Sequence, residues 1–254
     1  MADIILETQN LRKEFGALVA VANVSLKVRA GSLHSIIGPN GAGKTTFFNL
    51  LSGNIEPSAG RVLFKGQNIT RLPVYKTAHL GIGRSFQITN IFSNLTVYEN
   101  IRLSCQALGR DNFKLFRSAN HFQRYNERTW EVVEQVGLQT EALAPARALP
   151  HGAQRKLELG MILAPDPEML LLDEPTAGMA SEDVPELMEL IQQIQETGQK
   201  TVMLVEHNMN VVMSVSDMIT VMHQGAVLAE GTPADIAENE AVQTAYLGEL
   251  YSDQ

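Results

Sequence analysis

The run Gly38-Pro39-Asn40-Gly41-Ala42-Gly43-Lys44-Thr45 constrains this chain more than any other feature. It satisfies G-x-x-x-x-G-K-[ST] at every position. An apolar stretch, Leu33 to Ile37, precedes it, and a helical pattern from Lys44 to about Leu51 follows, with Gly53 as its stop. Glycines let the backbone curl until successive N–H groups converge on one anion. The start of the helix adds unpaired donors and the positive end of its dipole. Residues Gly38 to Thr46 are therefore the candidate phosphate cradle. Lys44 supplies a point charge for the β- and γ-phosphates, and the Thr45 hydroxyl can ligate Mg²⁺. A glycine-rich turn with no ligand has no use for Lys-Thr after its last glycine.

Leu170-Leu171-Leu172-Asp173-Glu174 is the natural counterpart. A buried strand ending in a carboxylate places Asp173 beside the loop, where it holds Mg²⁺ through water. Glu174 is then positioned to orient or deprotonate an attacking water. Two acids capping the next helix would be the simpler reading if the phosphate loop were absent.

The rest of the chain supports an α/β architecture. Ile4 to Thr8, Val24 to Val28 and Arg61 to Phe64 read as strands, as does Leu33 to Ile37. Met169 to Leu172 and Thr201 to Val205 are short continuous apolar runs, which mark strands buried on both faces of a parallel sheet. Strand signals vanish after residue 88. Thr96-Val97-Tyr98-Glu99 is a capping box that starts a helix near Val97, and Trp130, Val133, Val136 and Gly137-Leu138 close another. We expect one domain over 1–254, with a helical subdomain inserted at 88–160. Thr232-Pro233-Ala234-Asp235 opens a last short helix.

Composition narrows the partners. With 20 Lys and Arg against 28 Asp and Glu, the net charge is −8, which is unsuited to nucleic-acid binding through bulk charge. The single cysteine, Cys105, rules out an intrachain disulfide and any cysteine-based zinc cluster. No segment approaches the roughly 18 apolar residues of a membrane span, and Met1 to Asn10 lacks a signal-peptide pattern. Membrane association is expected only through a partner. The methionines between Met203 and Met222 are expected in the core.

With both motifs placed, the chain resembles the ATP-binding subunit of ABC transporters from about residue 5 to the end. Gln87, in Arg84-Ser85-Phe86-Gln87, falls where that family has its Q-loop glutamine, a metal-binding and catalytic position. His207, in Val205-Glu206-His207, falls at the switch histidine, and Phe15 at the aromatic that stacks on adenine. The resemblance implies a P-loop NTPase core of the ABC ATPase type, with an antiparallel β subdomain and an inserted helical subdomain. It implies ATP and Mg²⁺ as ligands, and a head-to-tail pairing with a second copy or a homologous ATPase. It also implies integral membrane permease subunits, a solute-binding protein acting indirectly, and a peripheral place on the cytoplasmic face of the inner membrane. An extra stretch around Arg110 to Arg128, the segment Pro175-Thr176-Ala177-Gly178-Met179 and the tail Ala245-Tyr246-Leu247-Gly248-Glu249 are similar to the ATPases of branched-chain amino-acid importers.

Two positions depart from the family pattern. Leu149-Pro150-His151-Gly152-Ala153-Gln154 occupies the slot of Leu-Ser-Gly-Gly-Gln. Pro150 replaces the serine whose hydroxyl meets the γ-phosphate, while Gly152 and the helix start survive, with His151 as the adjacent donor. Ala180 stands where the D-loop usually carries Asp, leaving Ser181 or Glu182 for that contact. An ATPase acting on DNA or ribosomes would carry a coiled coil, a second ATPase domain or basic patches, none of which the sequence displays. A lipopolysaccharide-type exporter ATPase is the nearer alternative. A P-loop kinase or GTPase has no use for His207 or for the segment His151-Gly152.

Overall fold

Every residue of β3 (Leu33–Ile37), β7 (Met169–Asp173) and β8 (Thr201–Val205) is buried in the computed structural model. A strand covered on both faces reads as an uninterrupted apolar run, which is why these three are visible in the sequence. The structure describes residues 3–85, 91–107, 109, 123–198 and 200–252. The expected functional residue Gln87 and most of the stretch from Arg110 to Arg128 lie outside them.

The three strands form the centre of a six-stranded sheet. Around them lie β6 (Ile82–Arg84), β9 (Met218–His223) and β10 (Ala226–Gly231), in the order β10-β9-β3-β8-β7-β6. All neighbours are parallel except β9 and β10, which form a hairpin. A second sheet is antiparallel, with the order β2-β1-β4-β5, from β1 (Ile4–Phe15), β2 (Leu18–Arg29), β4 (Ala59–Phe64) and β5 (Gln67–Asn68). Val24, Leu26 and Val28 of β2 point inward and alternate with exposed Ser25, Lys27 and Arg29. They share one core with Phe47 and Phe48 of α1 (Lys44–Leu51) and with Leu171 and Met203 of the large sheet. The helix that begins at the phosphate loop is thus clamped between two sheets. β1 runs seven residues past the expected Thr8, because its pairing with β2 continues to Phe15 through polar residues. A ladder needs backbone groups, not apolar side chains.

The helical region packs against the other face of the large sheet, through Leu170, Leu172 and Leu204. Val97 and Ile101 of α3 (Val97–Ala107), Val132 and Val133 of α4 (Gln123–Gln135), and Leu157 of α5 (His151–Leu163) share a second core. The capping box forms as expected: the Glu99 carboxylate accepts the Thr96 N–H at 2.8 Å and the Thr96 hydroxyl accepts the Glu99 N–H at 3.1 Å. A β-carbon on Gly160 would stand 3.2 Å from Ile101 Cδ1, so glycine lets α5 close on α3. Trp130 is not part of that core. It is 47% exposed and packs on Tyr98 at 5.2 Å between ring centroids. The remaining helices are α2 (Val74–His79), α6 (Val184–Gly198), α7 (Met209–Val215), α8 (Pro233–Ala237) and α9 (Glu240–Ser252). The Thr232 capping box of α8 is present. Of the methionines expected in the core, Met203 and Met222 are fully buried, whereas Met209, Met213 and Met218 are half-buried. Among the described residues no helix is long and apolar enough to cross a membrane.

One buried polar contact gives the core a pH signature. The His34 Nε2 lies 2.8 Å from the Thr220 hydroxyl on the neighbouring strand, and burial pushes the imidazole down to about 4 from 6.5. The folded state therefore holds His34 neutral where an unfolded chain would protonate it. That contribution is present above about pH 6.5 and is lost as pH falls towards 4. The total is on the order of 3 kcal/mol. His34→Gln, which keeps a donor for Thr220, is expected to flatten the fall in urea-unfolding free energy between pH 7 and pH 4.5.

Candidate functional site

The phosphate loop owes its shape to two glycines pressed against other backbone. A β-carbon on Gly38 would lie 2.0 Å from the Met222 carbonyl oxygen, and one on Gly43 would lie 2.3 Å from that of Ala20. Both have positive φ, at 148° and 96°. No other residue fits either place. The Gly225 N–H also donates to the Ala42 carbonyl, and the Ala22 N–H donates to the Gly225 carbonyl. The loop is therefore held from one side by β2 and from the other by the β9–β10 turn.

Loop residues 40–46 form the floor of a cleft of about 650 Å³. Leu18, Val19 and Ala20 of β2, together with Gln224, wall one part of it, and Glu174 and His207 wall another. The Lys44 side chain is buried, with Nζ donating to the carbonyls of Gly38 at 2.5 Å and Pro39 at 3.0 Å. An ammonium group spanning the loop in this way lies where a bound phosphate would concentrate negative charge. Thr45 and Thr46, in the first turn of α1, line the same cleft.

Glu174 follows β7 in a left-handed conformation, φ 52°, which is uncommon for a side chain of its size. Its N–H is held by the Val205 carbonyl at 2.9 Å. The His207 Nε2 lies 2.7 Å from Glu174 Oε1. An ionised carboxylate only accepts, so the imidazole carries its proton on Nε2 in this contact. The pair faces the cleft that Lys44 lines. Sequence reasoning overlooked two residues of the site: Glu206, which holds this wall in place, and Gln224 in the opposite wall. Glu206, buried at the end of β8, accepts the Thr176 N–H at 3.0 Å and the Thr176 hydroxyl at 2.7 Å on one oxygen. Its other oxygen accepts the His207 N–H. An acid immediately after a fully apolar strand was the signal available for it. Gln224 gave no comparable signal, because it reaches the cleft only through the β9–β10 turn.

Asp173 stands behind Glu174 rather than in the cleft wall. Its N–H donates to the Ser85 hydroxyl at 2.9 Å, and Oδ2 is 3.8 Å from an Arg84 Nη2. Burial pushes its carboxyl above the usual carboxylate range, against the opposing pull of the Arg84 guanidinium. Oδ1 is buried and has no hydrogen-bond partner among the described residues. A buried carboxylate oxygen without a donor is costly unless a cation or water meets it. Asp173 and the Thr45 hydroxyl are hard oxygen donors of the kind that suit Mg²⁺.

The other predicted residues are apart from this cleft. Phe15 sits at the tip of the β1–β2 hairpin, half exposed, paired with the cleft residue Leu18 and covered by Lys13 Nζ at 5.0 Å from the ring centre. His151 and Gly152 open α5 and do not line the cleft of their own chain. Pro150 is the N-cap and supplies no side-chain cap, and the His151 ring flanks Gly178. Ser181 and Glu182 are exposed, and the carboxylate that lies beside Gly152 belongs to Asp183, which the sequence reading did not single out.

This geometry can be set beside known proteins. Residues 21–177 match the family described as ABC transporter, and residues 226–251 match one described as branched-chain amino acid ATP-binding cassette transporter. The high-affinity branched-chain amino acid transport ATP-binding protein LivG of Salmonella typhimurium is 40% identical over 98% of this chain and its own full length. The crystal structure of a nucleotide-free ATP-binding cassette from an ABC transporter superposes with a TM-score of 0.85 at 28% identity, covering 96% of this chain and 98% of the other. A dimeric cassette in a post-hydrolysis state, bound to ADP and Pi, superposes with a TM-score of 0.77 at 26% identity, covering 90% and 99%. With its paired sheets, its glycine-pinned phosphate loop and these matches over nearly its whole length, the chain belongs to the family of ABC transporter ATP-binding proteins.

Proposed function

We propose that this chain is the ATP-hydrolysing subunit of an importer for branched-chain amino acids or similar small solutes. The observation that carries the chemistry is the Glu174–His207 contact at 2.7 Å on the wall of the Lys44 cleft. The C-terminal match over residues 226–251 favours the branched-chain importers over the lipopolysaccharide-type exporters.

Backbone N–H groups of Gly41 to Thr46 and the Lys44 ammonium bind the phosphates, and Phe15 with its neighbour Leu18 offers an apolar surface to the adenine. Thr45 and Asp173, with Gln87, are the residues that would hold Mg²⁺, which neutralises charge on the β- and γ-phosphates when bound. Glu174 orients the attacking water and takes its proton as the water oxygen bonds to the γ-phosphorus and the bond to the ADP oxygen breaks. His207 fixes the Glu174 carboxylate and stabilises its charge. Most of the acceleration comes from positioning and charge, since phosphoryl transfer leaves little covalent work to the protein.

The start of α5 lies outside its own chain's cleft. A head-to-tail pair, with a second copy or a homologue, would bring His151 and Gly152 of one chain to the γ-phosphate bound by the other. Closure on ATP and release after hydrolysis then follow from unequal affinity of the closed pair for ATP and ADP. Permease subunits in the membrane would receive that motion, placing this chain peripherally at the cytoplasmic face. A solute-binding protein acts on the far side.

Three outcomes are expected. Glu174→Gln keeps ATP binding, loses turnover by about 10²–10⁴-fold and accumulates a dimer on ATP. Near-normal turnover, measured alongside sedimentation, would remove Glu174 from the mechanism. Lys44→Ala weakens ATP by roughly ten- to a hundredfold in calorimetry, the value of about 1.5–3 kcal/mol for a charged hydrogen bond. His151→Ala impairs ATP-driven dimerisation far more than ATP binding to the monomer, and Pro150→Ser added to it restores part of the loss. Equal dimerisation of His151→Ala and the parent would leave the Gly152 backbone and the helix dipole to serve alone.

A further inference from the structure

Arg84 is the residue whose placement the catalytic reading does not explain. It ends β6, at the edge of the large sheet, and its side chain is only 6% exposed. Its guanidinium reaches in two directions. Towards α1 it donates to the Phe48 carbonyl at 3.2 Å, to the Asn49 side-chain oxygen at 2.7 Å and to the Ser52 hydroxyl. Towards β7 it faces Asp173 Oδ2 at 3.8 Å, where the acid is 1% exposed. The next residue, Ser85, accepts the Asp173 N–H and donates its own N–H to the Leu171 carbonyl.

These contacts join the two elements that carry the candidate Mg²⁺ ligands. Thr45 lies in the first turn of α1, and Arg84 grips the last turn of the same eight-residue helix. Asp173 lies at the end of β7. A planar guanidinium with five donors in a fixed fork can hold a helix end and a carboxylate at once, which a lysine ammonium cannot do with the same geometry. The Arg84 contact also occupies the Oδ2 side of Asp173 at ion-pair distance and leaves Oδ1 with no protein partner among the described residues.

We propose that Arg84 is a positioning residue that sets the separation and orientation of Thr45 and Asp173 for Mg²⁺. It touches neither nucleotide nor metal. This inference rests on the proposed ATPase reading. Partners of this kind around metal ligands typically change metal affinity by about 10–100-fold when removed. Arg84 further lines an apolar groove of about 320 Å³ together with Ala107 of α3 and Met161 of α5. The clamp therefore stands where the helical region meets the sheet.

The test uses the full chain and reads Mg²⁺, not turnover alone. ATP affinity is measured by calorimetry with and without Mg²⁺, and hydrolysis is titrated with Mg²⁺, for the parent, Arg84→Gln and Arg84→Lys. The parent should need Mg²⁺ for hydrolysis, and if it does not, the ATPase reading itself fails. Arg84→Gln should raise the Mg²⁺ concentration for half-maximal hydrolysis by about tenfold or more, and should shrink the gain in ATP affinity that Mg²⁺ confers. Its Mg²⁺-free ATP affinity should stay within about twofold of the parent. Arg84→Lys should recover part of the effect. Should Arg84→Gln not fold, judged by circular dichroism and thermal melting, Asn49→Ala with Ser52→Ala removes the α1 half of the clamp and should shift the Mg²⁺ requirement in the same direction. An unchanged Mg²⁺ dependence in a folded variant overturns the proposal, and so does an equal loss of ATP affinity with and without Mg²⁺.

Discussion

A carbonyl oxygen occupies the space where a β-carbon on Gly38 would be, and another stands against Gly43. Those two contacts, to Met222 and Ala20, are what the rest of the site depends on. They press the phosphate loop against both sheets, so that the antiparallel sheet, the β9–β10 turn and the start of α1 cannot shift independently. Any side chain at either position would push the loop away from Ala20 or Met222, at a cost set by dense backbone packing, not by a flexible neighbour. The cleft walls Leu18, Ala20 and Gln224 come from the same close approach.

The second wall is held by polar groups with little room to relax. Glu174 adopts a left-handed backbone that disfavours it, and residues in such conformations persist only where their surroundings over-determine them. Here the surroundings are the Val205 carbonyl on its N–H, His207 on its carboxylate, and Glu206 gripping Thr176 two residues later. A similar arrangement continues into the helical region. The Arg155 guanidinium, buried in α5, pairs with Glu158 at 2.9 Å and donates to the Ala177 carbonyl at 2.9 Å. The segment after Glu174 is therefore tied at one end to β8 and at the other to the helix that opens with His151. A displacement of α5 would be felt at Ala177, three residues from Glu174.

The start of α5 stands apart from the cleft of its own chain. The candidate phosphate-binding residues 40–46 and the Glu174–His207 pair line one cleft, while the His151 helix start does not line it and has Asp183 beside Gly152. A carboxylate next to a helix N-terminus is favourable in an isolated chain. In the proposed head-to-tail pair an incoming phosphate would compete with Asp183 for that positive end. In that proposal His151 adds a donor where Pro150 stands in place of the family's serine.

The fold class and the loop that floors the candidate site were legible because they rest on local chemistry. The phosphate loop needs glycine, lysine and threonine at fixed spacing, and strands buried on both faces need unbroken apolar runs, so Gly38 to Thr46, β3, β7 and β8 could be read directly. The capping box at Thr96 and the Thr232-Pro233 helix start were readable for the same reason, since each is completed within four residues. What tertiary structure decided is which distant residues meet. Nothing local to Arg84 announces that it will grip α1 and face Asp173. Ala20 is an ordinary strand residue until Gly43 packs against its carbonyl, and Gln224 reaches the cleft only because β9 lies beside β3. Asp173 is behind the cleft wall, not in it, because Arg84 and Ser85 hold it from β6, a three-residue edge strand too short to show a pattern. Trp130 keeps helical spacing yet stays exposed, because the neighbour it meets is Tyr98 on the outside of α3. Spacing along the chain determines what each segment can form; the packing of one segment on another determines which of its side chains face the chemistry.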